Sequence, residues 1–445
     1  MTDSLHDLRA SDEPGGTDRM SDLARRLTLS DAILLGLGSM VGAGVFVVWG
    51  PAAQAAGGWL LVGLAIAALV AFFNATASAQ LAARYPTSGG TYVYGREELG
   101  PGWGFLAGWG FVLGKTASAA AMGLTVAAYL TPEGWSPQVF ATVVVAVLAA
   151  VNYQGVSRTA AVTRIIAVIV LGILLALTVS NGIASTPPLD LPGNFPGVHG
   201  VLQSAGLLFF AFAGYARLAT LGEEVIEPRR TIPRAILLAL GIAVLLYAAV
   251  GASVLAVLGV DGVASSAAPL ADAALAGPYP LLAWAARIGA GLAAGGALVG
   301  LLAGLSRTAL AMGRNADLPR VLAEVHPANR TPYVADAVGA VAVCILIWLV
   351  DLRGALGFSG AGVLTYYFIA NAAAFRQTED RRYPRVFQVL GMILCAVLVL
   401  TLPWQAVIGA AAMFVLGLFY RALTRSRREA VAGSASAGTE PADEG

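Results

Sequence analysis

The chain has 445 residues, 58% of them hydrophobic and 12% charged, with a mean hydropathy of +0.75 and a formal net charge of +1. Soluble domains carry about 25% charged residues, so the composition excludes an ordinary soluble protein and points to an integral membrane protein. Its arginines are scattered over short loops with no basic face, which excludes a nucleic-acid-binding protein. The apolar runs are continuous rather than short and alternating, which excludes a transmembrane barrel.

Residues 1–30 read as a polar cytoplasmic tail that ends in "SDLARRLTLS" and lacks the apolar core of a cleavable signal peptide. Twelve apolar segments follow, each about long enough to cross roughly 30 Å of hydrocarbon as a helix. They lie near 31–56, 58–83, 102–130, 136–153, 159–181, 199–222, 233–259, 281–312, 333–350, 355–375, 385–401 and 403–422. They are grouped as a first five-helix unit over 31–182, a second over 199–375, and two further helices over 385–422. The small, polar, acidic remainder, 423–445, is expected to be a disordered cytoplasmic tail.

Segment 1 carries "GLGSMVGAGVF", with Gly36, Gly38, Gly42 and Gly44 in mid-membrane. Spacing such as Gly38 to Gly42 is common where helices pack closely. The alternative is a broken helix. Unwinding frees N–H and C=O groups at several kcal/mol each, so a break persists only where it lines a cavity in which a ligand can pair them. Glycine permits positive backbone torsions and close approach. A dinucleotide fingerprint is excluded by the spacing, by the apolar surroundings and by the lack of a βαβ unit.

Segment 3 holds Lys115, the only lysine of the chain, in "GWGFVLGKTASAAAMG". It sits near the membrane centre, where a charge costs at least about 2.5 kcal/mol and ionisable residues are functional candidates. A desolvated lysine can release its proton near neutral pH, which an arginine cannot. Three roles are open: proton coupling, repulsion of cationic side chains in a substrate site, or a structural cation bonded to freed carbonyls or snorkelling to water. Either functional role favours a neutral substrate, and no Asp or Glu lies in mid-span to pair with it.

Segment 6, "QSAGLLFFAFAGYARLATLGEEV", has Gly214 in mid-span. Segments 1 and 6 head two five-helix units of opposite orientation, and paired glycine interruptions at corresponding places point to an inverted-repeat transporter with its site at the midplane. Backbone N–H groups of Ser39, Met40, Val41, Gly42, Ala43 and Gly44, opening a half-helix, suit a carboxylate. Carbonyls of Phe212, Ala213 and Gly214, closing one, suit an ammonium. Together these describe an α-amino acid. Arg217, one turn beyond, is a candidate gate with Glu223 or Glu224, against a snorkelling or anchoring role.

The remaining residues point to no further chemistry. Cys344 and Cys395 lie inside apolar segments, as buried inert thiols. Trp109, Tyr129 and Trp284 read as anchors or packing residues rather than pocket walls. His6, His199 and His326 are far apart, with no metal-ligand spacing and no nucleophile, base and third partner, so neither an enzyme nor a cofactor is expected. With both termini cytoplasmic, that side receives arginines such as Arg25, Arg84, Arg158, Arg229, Arg314 and Arg381, and the other only Arg353 and Arg287, an asymmetry that sets the orientation in a cell membrane.

Six stretches in order, "GLGSMVGAGVF", "YPTSGGTYVYGREELG", "GFLAGWGF", "FFAFAGYA", "EEVIEPRRTIPRAI" and "SRTALAMGRNADLP", resemble the amino acid, polyamine and organocation superfamily of permeases over almost all of 28–422. The resemblance implies the fold of the bacterial leucine transporter: an all-α membrane protein of five plus five inverted helices and two more, with segments 1 and 6 unwound at mid-membrane and alternating access to a central site. It implies amino-acid substrates. The chain departs from the pattern of several cation-transporting members, which have an acid after the "G-Y" pair where Ala216 stands here. Apolar Val170 aligns with a lysine of some proton-coupled members. Gly289 to Leu305 lacks the hydroxyls of sodium-coupled ones, leaving Ser306 or Thr308. The expected function is secondary transport of amino acids, neutral ones first, by proton symport or exchange, with protons and membrane lipid as the other partners. A cationic amino acid or polyamine exchanger, and a non-transporting sensor or light partner of a complex, are the alternatives.

Overall fold

The computed structural model describes residues 27–85, 90–154, 160–184, 194–219, 225–327 and 331–437. Among these the chain is helical, its only β feature being a single parallel bridge between Leu27 and Val225. Most of the tail before segment 1, and Glu223 and Glu224, lie outside them.

Segment 1 is built from three short helices: α1 (Leu29–Met40), α2 (Gly44–Val47) and α3 (Trp49–Ala56). The start of α1 is fixed by a capping box. The Asp31 N–H donates to the Thr28 hydroxyl at 3.4 Å, and the Thr28 N–H donates to the Asp31 carboxylate at 3.0 Å. After α3 the chain turns through Gly57, whose φ of +56° disfavours a side chain, into α4 (Leu60–Arg84). A helix with no strong apolar signal, α5 (Gly90–Leu99), precedes α6 (Pro101–Leu130). Proline at the first helical position also starts α7 (Pro137–Tyr153), and α8 (Ala160–Ala184) follows.

Segment 6 comprises α9 (Gly197–Phe212), a 3₁₀ turn over Ala213–Tyr215, and α10 (Ala216–Ala219). Next come α11 (Pro228–Ser265), kinked at Gly259, α12 (Pro269–Ala276) and α13 (Leu282–Arg314). The chain ends with α14 (Tyr333–Leu349), α15 (Leu352–Arg376), α16 (Arg385–Thr401) and α17 (Trp404–Ala437).

Among the described residues, 8 helical spans are long and apolar enough to cross a membrane: Leu29–Val47, Trp49–Arg84, Pro101–Leu130, Val162–Ile183, Gly197–Tyr215, Pro228–Ser265, Leu282–Arg314 and Trp404–Thr424. Pro137–Tyr153, Tyr333–Leu349 and Arg385–Thr401 are shorter apolar helices, and α15 is a helix over the tenth expected segment. Small residues let the helices meet at backbone distance. A Cβ on Gly114 of α6 would lie 2.9 Å from the Val363 nitrogen of α15, and Ser118 and Ser359 share a hydrogen bond of 2.7 Å across the same seam. Against this frame α6 also packs on α13, α4 on α9 and α11, and α1 on α11 and α8. The two interrupted helices lie inside.

Candidate functional site

The break in segment 1 is short and buried. The Val41 N–H still bonds back to the Leu37 carbonyl at 2.6 Å, but Val41 has ψ +44°, which ends the ladder of α1. Among the described residues the N–H groups of Gly42, Ala43, Gly44 and Val45 find no acceptor, and the next one, of Phe46, bonds to the Ala43 carbonyl at 3.0 Å. Four consecutive amide donors therefore stand at the start of the helix that α2 and α3 continue, where the dipole favours an anion. Ser39 and Met40 are the last two residues of α1, and the Ser39 hydroxyl donates to its own helix at Leu35 O, 2.8 Å away.

None of the five glycines of segment 1, Gly50 included, has positive φ. Their function is close approach. A Cβ on Gly44 would meet Ala211 Cα at 2.6 Å, and one on Gly36 the Leu218 side chain at 2.6 Å, both in segment 6. Gly42 is less confined, with Ala297 Cβ at 3.2 Å. From the other side a Cβ on Gly214 would overlap the Ser39 carbonyl and the Met40 nitrogen. The two interruptions thus touch, backbone to backbone.

Tyrosine hydroxyls hold the freed carbonyls. Tyr247 of α11 reaches both interruptions, its hydroxyl 2.7 Å from Met40 O and 3.1 Å from Ala211 O, so one proton serves two acceptors. Tyr129 of α6 donates to Phe46 O at 2.7 Å and accepts from the Leu270 N–H at 3.4 Å. Tyr367 of α15 lies 3.4 Å from Ala213 O, a long contact. Phe212 and Ala213 are buried. Sequence reasoning missed Tyr247 and Tyr367, whose signal was a hydroxyl in the middle of an apolar segment. It noted Tyr129 only as an anchor or packing residue. Trp109 bonds to Met413 O and stacks on Phe105, while Trp284 is exposed on the outer surface.

Lys115 is half-buried in mid-α6, its Nζ 5.7 Å from the ring centroid of Phe111. Its stripe on the helix includes Met122, seven residues on. Met122 and Ala119 pack in one cluster with Ala43 of the break and with Ala294 and Leu298 of α13. No carboxylate pairs with Lys115 among the described residues. Arg217 extends towards α13, its Nη1 2.6 Å from where a Gly300 Cβ would stand. The Ser306 and Thr308 hydroxyls donate to carbonyls of their own helix, Ala303 O at 3.2 Å and Gly304 O at 3.0 Å. Among the described residues no group of His, Cys, Asp or Glu could hold a metal.

The two ends of the bundle are held differently. At the α5 end, Asp317 takes Arg96 at 3.0 Å and Arg421 at 2.7 Å, with the Tyr92 hydroxyl at 2.9 Å. Burial first, and then the Asp317 charge, push the Tyr92 hydroxyl up to about 12. At the opposite end Arg353 donates to Gln203 of α9 at 2.8 Å and to Gln54 of α3 at 3.4 Å.

Comparison with known proteins shows the family of the chain. Residues 27–430 match the amino acid permease family. An uncharacterized transporter of Mycobacterium tuberculosis is 50% identical, over 95% of this chain and 98% of its own length. The branched-chain amino acid permease BcaP of Bacillus subtilis is 26% identical, over 93% of this chain and 95% of its own. A chloroplastic cationic amino acid transporter of Arabidopsis thaliana is 29% identical, over 89% and 73% respectively. A chain that is helical over its described residues, with several membrane-length helices, and that matches over residues 27–430 belongs to the amino acid permease family of the amino acid, polyamine and organocation superfamily.

Proposed function

We propose that the protein is a secondary transporter of α-amino acids, neutral ones foremost, that works by alternating access. In this reading the chain crosses the membrane twelve times as two inverted five-helix units and two further helices, with both termini in the cytoplasm. The substrate carboxylate is taken by the N–H groups from Gly42 to Val45, and its ammonium by the carbonyls of Phe212, Ala213 and Gly214. The observation that carries the reading is the run of four unpaired amide donors, pressed directly against the interruption of segment 6. Unpaired donors at membrane depth cost several kcal/mol each, and an anionic ligand offsets that cost.

Two features support a neutral side chain. Lys115 shares a stripe of α6 with Met122, which packs in the cluster that holds Ala43 of the break, Arg217 reaches towards α13, and no mid-span acid opposes them. Like charges in a medium of low polarity repel a cationic substrate side chain. Lys115 is also the group through which a proton couples to uptake, since among the described residues its ammonium has no carboxylate to hold the charge in place. A cationic substrate is the second reading, favoured by the relatives named as cationic amino acid transporters.

Competition against uptake of a labelled neutral amino acid tests the binding mode. The unlabelled amino acid is expected to compete, while its methyl ester, without a carboxylate, and its N-acetyl derivative, without an ammonium, both lose at least about tenfold in affinity, one charged hydrogen-bond partner each. Equal competition by the ester would remove the amide run from the site.

A further inference from the structure

An open cavity of about 740 Å³ lies at the end of the bundle that carries Arg353, between the start of α9, the start of α15 and the turn from α16 to α17. One part of its lining is charged and polar. Arg353 and Asp351 stand two residues apart on it, with Gln203 and His199 beside them. Another part is apolar and faces outward, with Leu349 72%, Leu400 73% and Trp404 68% exposed. All three sit at helix ends, the level at which tryptophan marks the boundary between hydrocarbon and head groups.

Neither charge is fully used by the protein. The Arg353 Nε–H is buried and finds no acceptor, although both terminal nitrogens are engaged by Gln203 and Gln54. One Asp351 oxygen caps α15 at the Gly354 N–H, 2.7 Å away, and the other has no partner among the described residues. A buried guanidinium N–H without an acceptor costs more than a surface one, and its fork matches a phosphate. The cavity therefore offers an anion the partly exposed face of the Arg353 guanidinium, where its Nη1 contact with Gln54 is long at 3.4 Å, and it adds an acceptor for a cation and a greasy flank open to the bilayer.

We propose that this cavity binds an amine-bearing zwitterionic phospholipid, with its phosphate on Arg353, its ammonium on Asp351, and its chains along Leu400 and Trp404. A free amino acid would use the two charges but leave the flank bare, and an anionic lipid would place no cation on Asp351. Because Arg353 also ties α15 to α3 and α9, the lipid rests against the clasp that closes this end of the bundle. The proposal is independent of which amino acid the central site takes.

Native mass spectrometry of the detergent-purified full chain, titrated with phosphatidylethanolamine, phosphatidylcholine or phosphatidylglycerol, tests it. One phosphatidylethanolamine per chain is expected to persist at activation energies that strip the other two. Arg353→Gln and Asp351→Asn should each weaken it about tenfold, and Arg353→Lys should restore part of the loss. Thermal unfolding of each variant separates lost binding from lost folding, and Gln405→Ala on the same cavity keeps the lipid. Equal retention of phosphatidylglycerol, retention unchanged in both folded charge variants, or displacement of the lipid by millimolar amino acid would each overturn the assignment.

Discussion

Tyr247 illustrates how single residues hold the interrupted helices. Its hydroxyl stands between the Met40 and Ala211 carbonyls at the two interruptions, and removing it takes a donor from both. Tyr247→Phe is expected to lower stability by about 1–2 kcal/mol, read as a drop in thermal unfolding temperature in detergent, and to raise KM more than it lowers kcat. An unchanged KM with the same loss of stability would make Tyr247 a purely structural residue. The glycines divide by the same geometry. Gly44→Ala drives a methyl into the Ala211 backbone, where nothing can yield, whereas Gly42→Ala meets only the Ala297 methyl at 3.2 Å. The first is expected to destabilise the protein by about 1–3 kcal/mol and the second by less than about 1, compared by thermal melts. Gly214 packs too closely on Ser39 for its substitutions to report on ligand binding alone, so Gly42→Leu is the cleaner probe of the site. Lys115→Ala is expected to abolish uptake driven by an imposed pH gradient while substrate exchange persists. Loss of both activities in a folded variant would return Lys115 to a structural role.

At the scale of elements, Asp317 joins α5, the turn after α13, and α17 through two arginines. Asp317→Ala leaves both unpaired and is expected to cost about 2–3 kcal/mol, less than a wholly buried pair because Arg96 and Arg421 keep partial access to water. Hydrogen exchange in α5 should accelerate, and protection of α5 equal to that of the intact protein would refute the clasp. The apolar segments were legible because membrane length imposes itself on composition, so each of the twelve contains a helix in the structure. The break in segment 1 was legible through its glycines. The details of that break were not. Of the two uses of glycine considered there, positive torsions and close approach, only close approach is present, with Gly44 against Ala211. The pairing of Tyr247 with Met40 spans 207 positions and leaves no local trace. Likewise α5 and α12 are too short or too polar to register as apolar runs, and the kink at Gly259 looks in sequence like any other glycine in a membrane helix.

For the whole molecule, the arrangement is one in which two interrupted helices touch at their breaks inside a frame of intact ones. Contact between the breaks means that a ligand bonding one set of amides and the other set of carbonyls must engage both helices together. A ligand can shift a conformational equilibrium only through differential contacts with the two states, and a site shared by two helices supplies them. The proposed topology, twelve crossings with cytoplasmic termini, predicts that single cysteines placed near Gly134 and near Arg353 react with an impermeant thiol reagent from outside the cell, while one near Arg229 reacts only after permeabilisation. The measurement that bears most directly on the central claim is uptake of a panel of radiolabelled amino acids into proteoliposomes containing this protein alone, with and without an imposed pH gradient. Saturable uptake of a neutral amino acid is expected, stimulated by an inward proton gradient and lost in Gly42→Leu. Absence of uptake for every member of the panel by folded protein would contradict transport of amino acids, and a preference for arginine or lysine would contradict the neutral-substrate reading.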